Sequence, residues 1–395
     1  MKPIVVVIGT RAEAIKLIPL YLALKKESFP VVLCATFQHF EMLKQVCELF
    51  EVVPDFNLEV MKEDQDIFHV HEKVLNRTKE VYLKVKPSLV IVHGDTTTTL
   101  SAAMSAFYMH IPIAHIEAGL RTGNMSSPFP EEMNRKVVGQ IATYHFAPTA
   151  FSTANILSEG VPRQNVFCTG NTIVDALNLI KEKIVSKKVL IDPKLKIKVE
   201  EAKKKKQKIV LLTAHRRESF GEGLLNVFKT MKQFVLDYPD VSIFYPSHPN
   251  PNVLKAVKNS KIKEEKKIYV TGPLLHTDLI YLLMNVDWVA TDSGGIQEEA
   301  VSLGKHVLCL RDITERYEGV WEGSEILVGT DPKRIRDGML KFYSHNINLK
   351  PSMVYGDGRA CERIVSILKN KLNFESIFKI DDFAEKKNCS LQESI

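Results

Sequence analysis

The sequence predicts an α/β fold: two Rossmann-like parallel-sheet domains facing across a cleft. Three observations carry this. Short apolar runs alternate with helical patterns along the whole chain, in two successive sets. Polar residues recur where those runs end. Two segments of the second half, Thr213-Ala214-His215-Arg216-Arg217-Glu218 and Asp292-Ser293-Gly294-Gly295-Ile296-Gln297-Glu298-Glu299, each follow such a run. Strand–helix alternation implies right-handed βαβ units and parallel sheets covered by helices on both faces. Ligands of such sheets bind beyond the carboxyl ends of the strands.

In the first half, residues 4–8, 31–35, 89–92, 113–116, 145–147 and 166–168 read as buried strands, with helical patterns such as 14–25 and 98–109 between them. Residues 171–208 read as the connector, and its lysine-rich part, 181–208, as a solvated helical segment. The second set of strands is expected at 209–212, 242–245, 268–270, 288–290, 307–310 and 326–328, with a helix over 297–303 after the Ser-Gly-Gly turn. A last helix, 360–372, crosses back toward the first domain. The expected division is therefore 1–172 together with a helix at about 357–374, then 173–356, then a polar tail from 375 to 395.

Composition narrows the function. A chain of 395 residues with 45% apolar content can bury more than one core, and no apolar run approaches membrane-spanning length. The six cysteines lack C-x-x-C spacing, so free thiols in a cytoplasmic setting are expected, and neither a disulfide framework nor a structural zinc site. The net charge of +6 does not indicate nucleic acid, because the lysine excess alternates with apolar residues and carries no interleaved aromatics.

The strand ends carry the chemistry. Ser293, Gly294 and Gly295 leave backbone N–H groups uncovered at a helix start, which suits a diphosphate. Glu299, further along that helix, is placed to accept from the paired hydroxyls of a ribose. Gly9-Thr10-Arg11 forms a similar turn in the first half, with Arg11 and Lys16 as candidate anion ligands. Asp95, in His93-Gly94-Asp95 before four threonines, has a bland reading as a helix cap. Glu117 has one as a partner of Arg121, and Glu131 as a first-turn acid that favours the helix dipole. Together they bring three carboxylates to one sheet edge, where repulsion and partial burial can raise a pKa toward neutrality.

On these residues the chain resembles the non-hydrolysing UDP-N-acetylglucosamine 2-epimerases. The resemblance runs in order from residue 1 to about 365, through 9–16, 93–99, 115–123, 128–135, 170–172, 215–218, 292–300 and 311–316. It implies the GT-B-type fold shared with many glycosyltransferases, and interconversion of UDP-GlcNAc and UDP-ManNAc with no cofactor and no metal. The implied route eliminates UDP across C1–C2 to 2-acetamidoglucal, then re-adds it with C2 protonated from the other face. Asp95, Glu117, Glu131 and His215 are the implied catalytic set, with base and acid unassigned among the carboxylates. Arg11, Lys16, Arg135, Arg216, Ser293, Gly294, Gly295 and Arg316 are expected around the diphosphate, Glu299 at the ribose, and Pro273 and Leu274 beside the uracil. The resemblance further implies a homodimer, a supply of ManNAc-type sugars for surface polysaccharides, and a second UDP-GlcNAc as activator near Gln38, His39 and His248. A UDP-dependent glycosyltransferase of the same fold, or an epimerase of a modified UDP-sugar, are the alternatives.

Overall fold

The computed structural model describes residues 2–37, 40–62, 66–344 and 350–377. The expected polar tail therefore lies outside the described residues beyond 377, as do Gln38 and His39. Two parallel sheets form the frame. The first holds β1 (Ile4–Ile8), β2 (Val31–Ala35), β3 (Phe56–Asn57), β4 (Leu89–His93), β5 (Ile113–Ile116), β6 (Tyr144–Ala147) and β7 (Val166–Cys168), in the order β3-β2-β1-β4-β5-β6-β7. The second holds β8 (Lys208–Thr213), β9 (Val241–Pro246), β10 (Ile268–Thr271), β11 (Trp288–Thr291), β12 (His306–Cys309) and β13 (Glu325–Leu327), in the order β10-β9-β8-β11-β12-β13. Both orders reverse direction beside the first strand of the sheet, and that reversal opens a crevice at the strand ends. Every strand expected from sequence is present. The short β3 was not expected, because two residues leave no periodicity to read.

The helices of the first half are α1 (Arg11–Lys26), α2 (Phe40–Leu49), α3 (Ile67–Val85), α4 (Thr97–Tyr108), α5 (Glu131–Ile141) and α6 (Ala150–Ser158). Then come α7 (Thr172–Val185), α8 (Pro193–Lys204), α9 (Glu222–Asp237), α10 (Pro251–Ser260), α11 (His276–Asn285), α12 (Gly294–Ser302), α13 (Tyr317–Trp321), α14 (Pro332–Ser344) and α15 (Ala360–Ile377).

The four threonines after Asp95 turn out to be structural. Thr96 caps α4 by accepting from Thr99 N at 3.0 Å. Thr96 and Thr99 hydroxyls both donate to Glu13 Oε1, at 2.7 and 2.9 Å, while Glu13 Oε2 accepts from the N–H groups of Gly9 and Thr10. Thr98 fills the space a Cβ on Gly9 would need. One buried carboxylate thus fixes the turns after β1 and β4 in register, and the cap is Thr96 rather than Asp95.

The connector is not uniformly solvated. In α8, Leu195, Val199 and Ala202 are buried on one stripe while its lysines face water, as expected. By contrast α7 buries Ile173, Val174, Ala176, Leu177 and Ile180 and packs against α1, α11, α12 and α15. Through it, one apolar cluster runs from Ile4, Val6 and Ile8 to Leu211, Val289 and Val307 of the second sheet. Among the described residues, no helix is long and apolar enough to cross a membrane.

Candidate functional site

The sheets bring their strand ends together, and the ionisable groups fall into three linked groups. The first surrounds Asp95, in the turn between β4 and α4. Its Oδ2 accepts from Arg135 Nε at 2.9 Å and lies 2.6 Å from Arg135 Nη2; its backbone oxygen accepts from Asn134 Nδ2 at 2.7 Å. Arg135 also reaches Glu132 at 3.1 Å and, across the sheets, Glu315 at 3.3 Å. Glu131 opens α5 beside this group. Burial, then the charge of Asp95, raises its pKa, with Arg216 and Arg135 partly opposing them. Glu131 is therefore the carboxyl most disposed to hold a proton here.

Glu117 behaves in the opposite sense. It follows β5 in a left-handed backbone conformation, φ 60°, uncommon for a residue with a side chain. Its Oε2 is paired with Lys16 Nζ and accepts from Asn171 Nδ2 at 2.7 Å; His93 Nε2 lies 3.7 Å away and Arg316 Nη2 lies 3.9 Å from Oε1. Burial opposes its ionisation, but Lys16, His93 and Arg316 outweigh it and hold the carboxyl well below the ordinary carboxylate range. Clustering and burial thus raise the pKa of Glu131, whereas that of Glu117 is lowered because Lys16 and Arg316 lie against it. Arg121 does not pair with Glu117. It forms a two-pronged bridge to Glu159 at 2.8 and 2.7 Å. Lys16, 5% exposed, lies against Glu117 and, at 3.5 Å, Glu298, so its charge serves carboxylates rather than open space.

The third group comes from the second sheet. Asp292 Oδ2 accepts from the backbone N–H groups of His215 at 2.6 Å and Arg216 at 2.8 Å, which fixes the turn after β8. Asp292 Oδ1 lies 3.3 Å from His215 Nδ1, and the His248 ring stacks on His215 with centroids 5.1 Å apart. Ser293, Gly294 and Gly295 start α12 with no side-chain cap on the first N–H groups. A Cβ on Gly294 would overlap the Arg316 guanidinium, whereas one on Gly295 would meet nothing within 4 Å. Arg316 donates from Nε to Glu298 at 2.7 Å and is paired with Glu315, which Arg311 also holds at 2.8 Å. Glu299 is buried with His276 Nε2 3.0 Å from its Oε1, and it faces Arg11, whose pKa is lowered by burial and partly restored by that carboxylate. Pro273 and Leu274 line an open groove with Leu190, Ile191 and Asp278.

This arrangement can hold an anion at the α12 turn while offering nearby one carboxyl whose pKa is raised and one whose pKa is lowered. Among the described residues, no group of three or more His, Cys, Asp or Glu side chains is disposed to hold a metal ion. Sequence reasoning missed Asn171, Asp292, Glu298, Glu315 and His276 as members of these groups. Glu298 and Glu315 each adjoin a candidate residue, but only tertiary structure shows that they neutralise Lys16, Arg135 and Arg316.

A family model described as UDP-N-acetylglucosamine 2-epimerase matches residues 22–369. The chain belongs to that family. A UDP-N-acetylglucosamine 2-epimerase of Campylobacter jejuni is 43% identical over 388 residues, which is 95% of this chain and 100% of that protein. The Neisseria meningitidis UDP-GlcNAc 2-epimerase, solved bound to UDP-GlcNAc, superposes with a TM-score of 0.85 at 40% identity, covering 94% of this chain and 100% of that one. A glycosyltransferase of Rickettsia africae shares the fold alone, at 14% identity and a TM-score of 0.53, covering 93% of each chain. The epimerase family thus sits on the GT-B-type architecture expected from the sequence.

Proposed function

We propose that the protein interconverts UDP-GlcNAc and UDP-ManNAc by eliminating UDP to 2-acetamidoglucal and adding it back with C2 inverted. The observation that supports this most is the meeting of two groups from the two sheets: Glu131 feels the charge of Arg216 from the second sheet, and Arg135, which holds Asp95, reaches Glu315 at 3.3 Å. Epimerisation at a weakly acidic carbon needs a proton acceptor, a proton donor on the opposite face and a hold on the departing diphosphate.

Asp95, held by Arg135, serves as the group exchanging the C2 proton. The raised pKa of Glu131 favours it as opposite-face donor over Glu117, which its cations keep ionised. As the C2–H bond breaks, its electrons form the C1–C2 double bond and the C1–O bond leaves with UDP; re-addition reverses this with protonation from the other side. Ser293, Gly294 and Gly295 supply N–H donors to the diphosphate, with Arg11, Arg216 and Arg316 balancing its charge, and His215, oriented by Asp292, attends the leaving phosphate. Arg135 holds Asp95, and Lys16 holds Glu117. Pro273 and Leu274 flank the uracil.

The chain acts as two units, 1–172 with the helix at 357–374, and 173–356, assembled as a homodimer in the cytoplasm. A second UDP-GlcNAc near His248 would act on His215 directly, through the stacked rings. Purified protein given UDP-GlcNAc alone should yield UDP-ManNAc, and UDP-ManNAc given with a trace of UDP-GlcNAc should yield the same final mixture. Accumulation of free UDP with free sugar would contradict the reading, and so would conversion of neither epimer.

A further inference from the structure

His276 is the first residue of α11, directly after the turn assigned to the uracil. Its Nε2 sits 3.0 Å from Glu299 Oε1, with side chains only 7% and 2% exposed. Neither atom has an in-line hydrogen bond to another described residue, so the contact is one of position. Arg11, the other group facing Glu299, belongs to the first sheet, whereas His276 and Glu299 share the second. The histidine contact therefore needs nothing from across the cleft. A glutamate has several rotatable bonds, and a carboxylate must have its direction fixed before it can accept from two vicinal hydroxyls without an ordering cost at binding.

We propose that His276 is a positioning residue that holds Oε1 of Glu299, leaving Oε2 to accept from the ribose hydroxyls, and so sets a preference for a ribonucleoside over a 2′-deoxyribonucleoside diphosphate. The assignment rests on the proposed function, since it takes Glu299 as the ribose ligand. It differs from a purely structural role for His276, which would affect all ligands alike.

The test is calorimetric titration of the full chain with UDP and with 2′-deoxy-UDP. Wild-type protein should bind UDP about tenfold or more tightly, the scale of a hydrogen bond to a charged group. In His276→Ala the preference should collapse to within about twofold, with 2′-deoxy-UDP affinity nearly unchanged, which also reports an intact fold. His276→Gln, which can still donate to Glu299, should recover part of the preference. A preference kept in His276→Ala overturns the assignment alone, as does an equal loss for both nucleotides. Failure of wild-type protein to bind either nucleotide overturns the proposed function and the assignment with it.

Discussion

At the scale of single residues, the site is built from buried charges that neutralise each other in pairs. Lys16 and Glu117 are the clearest case, each with about 6% of its side chain exposed. Removing one partner leaves the other charge buried without compensation, which costs far more than the pair contributes. Lys16→Met and Glu117→Gln should each destabilise the protein by about 3 kcal/mol, and the double variant by less than their sum by about 1–2 kcal/mol. Denaturant unfolding of all four proteins measures this; strict additivity would show that the two side chains do not act as a pair. The residue scale also shows where sequence reading stopped. His215 and Asp95 stand out because they follow apolar strands, and Glu131 because it opens a helix beside them. The partners are distant in sequence: strand pairing of β8 with β11 brings Asp292 to His215, the start of α7 brings Asn171 to Glu117, and the meeting of the two sheets brings Glu315 to Arg135.

At the scale of elements, strands and long helices were legible, since continuous apolar runs at this spacing allow little but parallel strands with helical crossovers. The role of α7 was not. Its lysine-rich continuation suggested a solvated linker, yet its first turns form the packing block between α1 and α12. A sequence pattern records which face is apolar and not which neighbour covers it. The same helix anchors α15: Asp175 accepts from the backbone N–H groups of Ala360 at 3.1 Å and Cys361 at 2.9 Å, satisfying the start of that helix from outside. Asp175→Ala should therefore lower stability by about 1–2 kcal/mol, as loss of a helix cap does. Hydrogen exchange should show the loss concentrated in α15 and α7; protection unchanged there would contradict the anchoring role.

At the scale of the whole molecule, buried titratable groups shape stability against pH from both sides. Glu325, beneath α13 and hydrogen-bonded by Tyr355 at 3.0 Å, is pushed up to about 8 by burial, with Tyr355 and Arg316 partly opposing this. The folded state then holds a proton that the unfolded chain, titrating near 4.5, gives up. This contribution is complete below the unfolded pKa and is lost as pH rises through about 4.5 to about 8. Burial lowers His115 to about 3 and His145 to about 4, so these work in the other direction, and stability falls as pH drops from about 6.5 toward those values. Glu325→Gln should flatten the alkaline side: from about pH 5 to about pH 8.5 the wild type should lose on the order of 2 kcal/mol that the variant keeps. Parallel thermal-unfolding profiles for the two proteins would contradict this.

On the proposed function, the two sheets matter because Asp95 and Glu131 come from one and the α12 turn with Arg216 and Arg316 from the other. The claim that follows is proton exchange at C2 of the sugar. Proton NMR of UDP-GlcNAc with the protein in deuterated water tests it most directly. The predicted result is deuterium entering C2 of both UDP-GlcNAc and newly formed UDP-ManNAc, with UDP staying mostly attached and all exchange lost in Asp95→Asn. UDP-ManNAc formed without deuterium at C2, or exchange undiminished in Asp95→Asn, would contradict it.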